Sequence, residues 1–125
     1  MNTITFLITL AVQPGADDQK VRETMAKLAA SVGQKPGALF YQSYQVTEGK
    51  LEFIETFADS AAALYHLQNQ DAELAATWFT MIELEAITVV GPADDALKSE
   101  LDGYPLANKP CYVDTISGFP PAARS

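Results

Sequence analysis

Hydrophobic residues in the first stretch of the chain alternate with small and polar ones. Ile4, Phe6, Ile8, Leu10 and Val12 fall on one side, and Thr3, Thr5, Leu7, Thr9 and Ala11 on the other. A two-residue period rich in β-branched side chains predicts a strand over residues 3–12. "PGADD" breaks it, and Asp17 or Asp18 is placed to cap a helix, with acid at the positive end of the helix dipole. Val21, Met25, Leu28, Ala29 and Val32 then recur at helical spacing, and Gly33 marks the stop.

Strand character returns over 38–46. "TEG" at 47–49 predicts a tight hairpin turn, with Gly49 free to take positive φ. Residues 51–57 run back, with Leu51, Phe53, Glu55 and Phe57 on one face. Asp59 or Ser60 is placed to cap a helix reaching about Gln68. A further helix is expected over 72–82, where Leu74, Trp78, Met81 and Ile82 form an apolar stripe. A fourth strand over 84–90 is stopped by "GP", and a short helix follows over 94–101. Pro105 and Pro110 mark an irregular connection, 111–116 reads as a fifth strand, and "GFPPAARS" as a tail.

The order is β-α-β-β-α-α-β, then α-β. Its first part is the ferredoxin-like split βαβ plan, an α+β fold with an antiparallel sheet and helices on one face. Residues 1–125 read as one domain, with a core over 3–91 and a C-terminal extension over 92–125. The other sheet face would carry Leu7, Leu39, Tyr41 and Ile54 among threonines and serines. Left open, it would be a large exposed patch, so a homodimer joined sheet to sheet is expected. The extra C-terminal strand is expected at a sheet edge, reaching the partner subunit.

Charge narrows the partners. The formal charge is −8, and the eight basic residues are scattered rather than clustered. That pattern argues against nucleic acid and against anionic membranes. No apolar run approaches the ~20 residues of a membrane span. "MNTITFLITLAV" lacks a basic n-region and reads as a strand rather than a signal peptide. Cys111 is the only cysteine, so no internal disulfide forms, which suits a reducing cytoplasm.

One histidine, one cysteine and no carboxylates at ligand intervals leave no metal site, and no Gly-rich phosphate loop occurs. Cys111 has no basic or histidine neighbour to activate it. The remaining chemistry centres on His66, in an alanine-rich helix, and Glu55, on the strand face of Phe53 and Phe57. An imidazole titrates near neutrality and suits proton transfer. A carboxylate turned into apolar surroundings must be paired or carry a raised pKa. Glu55 could orient His66 or bond the start of the helix. Trp78, with Tyr41 and Tyr44 across a cavity, could stack on a flat ligand and offer phenolic hydrogen bonds. Each has a plainer reading: His66 as a border residue of a covering helix, Glu55 as a tie to backbone, the aromatics as core.

"FIETFADSAAALYHL" resembles the antibiotic-biosynthesis-monooxygenase-like family. The family pattern is a strand ending in Glu, an aromatic two residues on, an acidic or serine cap, a small-residue helix and His-Leu. Here those are Glu55, Phe57, Asp59, Ala62 and His66-Leu67. "VQPGADDQKVRETMAKL…GQKPGALFY" follows the family plan too, so the resemblance spans roughly residues 3–91. It implies a dimeric α+β barrel. For active members it implies oxygenation of a quinol or polycyclic phenol without metal or flavin, hence no cofactor and a small aromatic or apolar ligand. Two departures matter. Many relatives carry a second histidine where Asp71 stands here. Haem-degrading relatives need a Trp followed by a His and an Asn from the first strand, whereas His66 precedes Trp78 and Asn2 lies at the extreme N-terminus. Two functions therefore stand. One is a cofactor-independent monooxygenase with His66 and Glu55 catalytic and Trp78, Tyr41 and Tyr44 holding substrate. The other is a non-catalytic dimer that binds a small ligand or acts as a scaffold. An open cavity reaching His66 separates them.

Overall fold

The computed structural model describes residues 1–122. Its elements are β1 (Ile4–Val12), α1 (Asp18–Gly33), β2 (Ala38–Thr47), β3 (Lys50–Phe57), α2 (Ser60–Gln68), α3 (Ala72–Met81), β4 (Ile82–Val90), α4 (Asp95–Asp102) and β5 (Cys111–Val113). They form one sheet in the order β2-β3-β1-β4-β5. Pairing is antiparallel throughout except between β4 and β5, which run parallel. The first four strands have the split βαβ arrangement that the pattern predicts.

The alternation of β1 decides the layering. Ile4, Phe6 and Leu10 are buried beneath the helices, while Leu7 on the reverse face is 40% exposed. Registry carries that division across the sheet: Phe6 lies opposite Glu55, Ile8 opposite Phe53 and Leu10 opposite Leu51. The helices start where aspartates accept backbone N–H bonds, at Asp17, Asp59, Asp71 and Asp94. Each such cap contributes about 1 kcal/mol. The core is completed by Ile82, Leu84, Ile87 and Val89 of β4, and by Leu97 and Leu101 of α4.

Three local features depart from the pattern. First, β4 begins at Ile82, because α3 passes straight into the strand with Ile82 already extended (φ −134°, ψ 162°). Second, β5 ends at Val113 rather than reaching Ile116, and it pairs with β4 of its own sheet. The extension is tied down by Asp94 N–H donating to Ser60 Oγ at 3.0 Å and by Lys98 lying 5.2 Å above the Tyr112 ring. The last three residues of the expected tail lie outside the described residues.

The third departure corrects the placement of both tyrosines. A bulge between Ala38 and Phe40 puts Ala38 opposite Phe57 but Phe40 opposite Thr56. The extra residue, Leu39, reverses the alternation downstream. Tyr41 therefore lies on the helix-covered face, opposite Glu55, and not on the open face. Tyr44, three residues on, must face the other way in a period of two, and it pairs with Glu52.

The loop between α1 and β2 is held firmly. Lys35 N–H donates to Val32 O at 3.0 Å, Ala38 N–H donates to Lys35 O at 3.3 Å, and Ala58 N–H donates to Gly37 O at 2.8 Å. Gly37 has φ +79°, and a Cβ there would stand 2.5 Å from Ala62 Cβ. Only glycine lets this loop sit against the first turn of α2.

Candidate active site

A cavity lies between the covered sheet face and the helices. Its volume is about 100 Å³, and the free space reaches about 810 Å³ when the open mouth is counted. Phe6, Ile8, Phe53, Leu67, Leu74 and Trp78 make its walls largely apolar, and Glu55, His66, Tyr41 and Lys35 place polar groups on them.

His66 occupies the last turn of α2 and is only 6% exposed. The small residues of that helix allow it to lie close to the sheet, with Ala63 fully buried. The imidazole stacks on Phe57 with ring centres 5.0 Å apart and planes at 23°. Its Nε2 stands 3.2 Å from Glu55 Oε1, and Glu55 is 5% exposed. The pair approach closely without hydrogen-bond geometry, so Glu55 Oε1 is left without a hydrogen bond. The same holds for His66 Nδ1 and for Tyr41 Oη. An unpartnered buried polar atom costs about 1–3 kcal/mol. Tyr41 Oη and His66 Nδ1 carry that cost here, while Glu55 Oε1 keeps its close approach to His66 Nε2.

The aromatic wall runs from Tyr41 through Phe53 to Trp78. Tyr41 meets Phe53 edge-on at 5.7 Å, and Phe53 meets Trp78 at 5.8 Å. Four of the five residues singled out in the sequence, Glu55, His66, Trp78 and Tyr41, thus line one space. Tyr44 does not join them. It is exposed on the open face, where its Oη donates to Glu52 Oε2 at 3.1 Å.

Lys35 and Tyr104, which no sequence pattern marks, line the cavity too, as does Asp71 at the position of the relatives' second histidine. Lys35 comes from the "KPG" turn and Tyr104 from the segment after α4, where no periodicity points inward. Burial pulls the Lys35 ammonium below its ordinary pKa, against the opposing pull of Glu55 and Asp71. Burial pushes the Tyr41 phenol well above its ordinary value, with the Glu55 carboxylate adding to the effect. Burial, then Glu100 and Glu55, push Tyr104 up to about 12. Both phenols are therefore O–H donors at neutral pH. Asp71 is already engaged, accepting from Leu74 N–H at 3.0 Å. Among the described residues no three His, Cys, Asp or Glu side chains group as metal ligands.

No protein-family model matches the chain. No curated protein matches it either. Solved structures do. The chain superposes on MupZ from Pseudomonas fluorescens with a TM-score of 0.72 at 21% identity, covering 95% of this chain and 94% of that one. It superposes on SnoaB, a cofactor-independent oxygenase from Streptomyces nogalater, with a TM-score of 0.66 at 14% identity, covering 75% of this chain and 96% of that one. A putative antibiotic biosynthesis monooxygenase from Chloroflexus aurantiacus gives 0.59 at 15% identity, over 74% and 95%. The wider coverage with MupZ takes in most of the C-terminal extension, whereas the other two matches are about the length of the core. At these identities the likeness is one of architecture, and in architecture the chain has the antibiotic-biosynthesis-monooxygenase-like fold.

Proposed function

We propose that the protein is a cofactor-independent monooxygenase of a quinol or phenol, working in the cavity at His66. The observation that carries this reading is that the buried pair His66 and Glu55, 3.2 Å apart, lines one aromatic-walled space together with Tyr41. In this reading the substrate hydroxyl gives its proton to the His66 imidazole. Glu55 at Nε2 holds the ring in place and stabilises the imidazolium. Tyr41 donates to a second substrate oxygen. The electron-rich anion transfers electrons to dioxygen, and a ring carbon forms a C–O bond. Loss of that carbon's hydrogen and cleavage of the O–O bond leave a quinone oxygen on the ring and release one water. All four electrons come from the substrate, so no cofactor is required. The likeness in fold to SnoaB, a cofactor-independent oxygenase, supports the same reading.

The cavity volume sharpens the substrate. About 100 Å³ is small beside the roughly 300–1,000 Å³ of common ligand pockets, which favours one or two rings over a polycyclic skeleton. The same smallness supports a second reading, in which the protein binds a small apolar ligand without turning it over. Oxygen uptake with a panel of hydroquinones and naphthols, combined with ¹⁸O₂ labelling of the product, separates them. One oxygen consumed per quinone, with one labelled atom retained, is expected. Binding of the panel with no uptake would leave only the second reading.

Assembly belongs to the same proposal. Leu7, Phe40 and Tyr44 stand 39–41% exposed on the open sheet face, with Ile54 among them. A homodimer joined through this face would bury more than about 1,200 Å² in total, the range of stable interfaces.

A further inference from the structure

We propose that Lys35 is the counter-cation for the substrate anion, stabilising the oxygen that His66 deprotonates. This rests on the oxygenase reading above and names a residue for its charged step. Among the described residues, Lys35 is the only lysine or arginine lining the cavity. A surface lysine is normally free to swing into water, but this one starts from a fixed point. Its N–H and C=O are both bonded within the turn, and Gly37 two residues on is seated on α2.

Its charge is also not spent elsewhere. Glu55 and Asp71 act on it through space, yet no carboxylate lies within 4 Å of its ammonium among the described residues. Each of those carboxylates has another engagement, Glu55 beside His66 Nε2 and Asp71 at the cap of α3. Burial outweighs both and lowers the Lys35 pKa, so the site holds a partly desolvated ammonium that neither carboxylate contacts closely. A phenol entering the cavity is neutral, and a phenolate is not. Proton transfer to His66 therefore creates an anion beside this loosely paired ammonium, in a setting where low dielectric magnifies the attraction. The same arrangement favours substrates whose anion is compact and oxygen-centred over neutral apolar ligands.

The groups that face this space are Glu55 from β3, Asp71 before α3, Tyr41 from β2, His66 from α2 and Tyr104 after α4. The test holds them constant and changes Lys35 alone. 4-Nitrophenol is the probe, because its phenolate absorbs visible light and its phenol does not. Spectrophotometric titration of the probe bound to the full chain should give an apparent pKa below that of the free probe. Lys35→Met should raise the bound value by about 1–2 units, the effect of one opposite charge at short range. Lys35→Arg should stay close to wild type, and thermal melting should show both variants folded. With a quinol substrate, Lys35→Met should lower turnover about tenfold or more.

A folded wild type that does not bind the probe, or a bound probe that ignores Lys35→Met, overturns the proposal. Wild-type turnover by Lys35→Met overturns it as well and leaves the oxygenase reading intact. Conversely, a Lys35-dependent probe shift without oxygen uptake on any quinol defeats the oxygenase reading and leaves Lys35 as the anion-binding cation.

Discussion

The two faces of the sheet come from the same strands, yet they put polarity and apolarity in opposite places. Beneath the helices, among Phe6, Phe53 and Phe57, lie a carboxylate and an imidazole that are both more than nine-tenths buried. On the open face Leu7, Phe40 and Tyr44 meet solvent, while Thr5 and Thr56 hydroxyls pair at 2.9 Å and Lys50 meets Glu85 at 2.7 Å. The stability of an isolated chain asks for neither arrangement. A buried polar pair is commonly no more stabilising than well-packed apolar residues of similar volume, and exposed apolar side chains gain nothing from water. The covered face leaves a cavity, and the open face leaves an apolar surface. A ligand and a second copy of the chain are the proposed answers.

The comparison breaks most sharply at His66. His66→Ala should lower turnover by about 10²–10⁴, the scale of a lost general base, measured per folded molecule after thermal melting. Full turnover by the folded variant would remove the catalytic role. Next in size is a matched pair of phenylalanines. Phe57→Ala should cost about 3–5 kcal/mol in denaturant unfolding, since Phe57 is fully buried. Phe40→Ala should cost less than about 1 kcal/mol in the chain's own fold and act instead on self-association. Equal losses would show that the faces are not distinct.

A third test replaces the buried pair outright. The double change Glu55→Leu with His66→Leu should leave the unfolding free energy unchanged or raise it by about 1–4 kcal/mol, while abolishing turnover. A large loss of stability would make the pair structural. Fourth, Leu7→Asp should shift the light-scattering mass from dimer to monomer at micromolar concentration, with little change in the far-ultraviolet circular dichroism. An unchanged mass would show that association does not use this face.

The smallest effect is alkaline. Tyr104 keeps its proton to about pH 12 in the folded chain but loses it near 10 when unfolded, so the folded state binds more protons between these values. Stability should therefore fall as pH rises from about 10 to 12. Tyr104→Phe should remove part of that slope in melting curves, and an identical slope would place the loss elsewhere.

The strands and helix starts were readable from the chain because each has a local cause. Alternation sets β1 and β3, and aspartates ahead of helical runs set the starts of α1 to α4. Glu55 and His66 were readable as candidates, because a carboxylate on an apolar strand face and a lone imidazole are conspicuous. Their meeting was not readable, since it depends on how α2 crosses β3. Tyr41 and Tyr44 show the limit of periodicity. One bulged residue at Leu39 exchanges inside for outside, and nothing in "GALFYQSY" signals it. Lys35 and Tyr104 reach the cavity from irregular segments, where pattern carries no direction at all. β4 starts two residues before the pattern places it, because the chain turns from helix to strand without a glycine or proline to announce it.

Gly37 has a consequence for how this protein can diverge. It presses the turn that carries Lys35 against the first turn of the helix that carries His66. The spacing between Lys35 and His66, the proposed cation and base, is thus gauged at a position outside the cavity lining. Any side chain at 37 would act as a shim, prising the turn from the helix and altering that gap while every cavity residue stayed the same. Descendants of this sequence could lose or retune their chemistry through a single change that a survey of pocket residues would pass over.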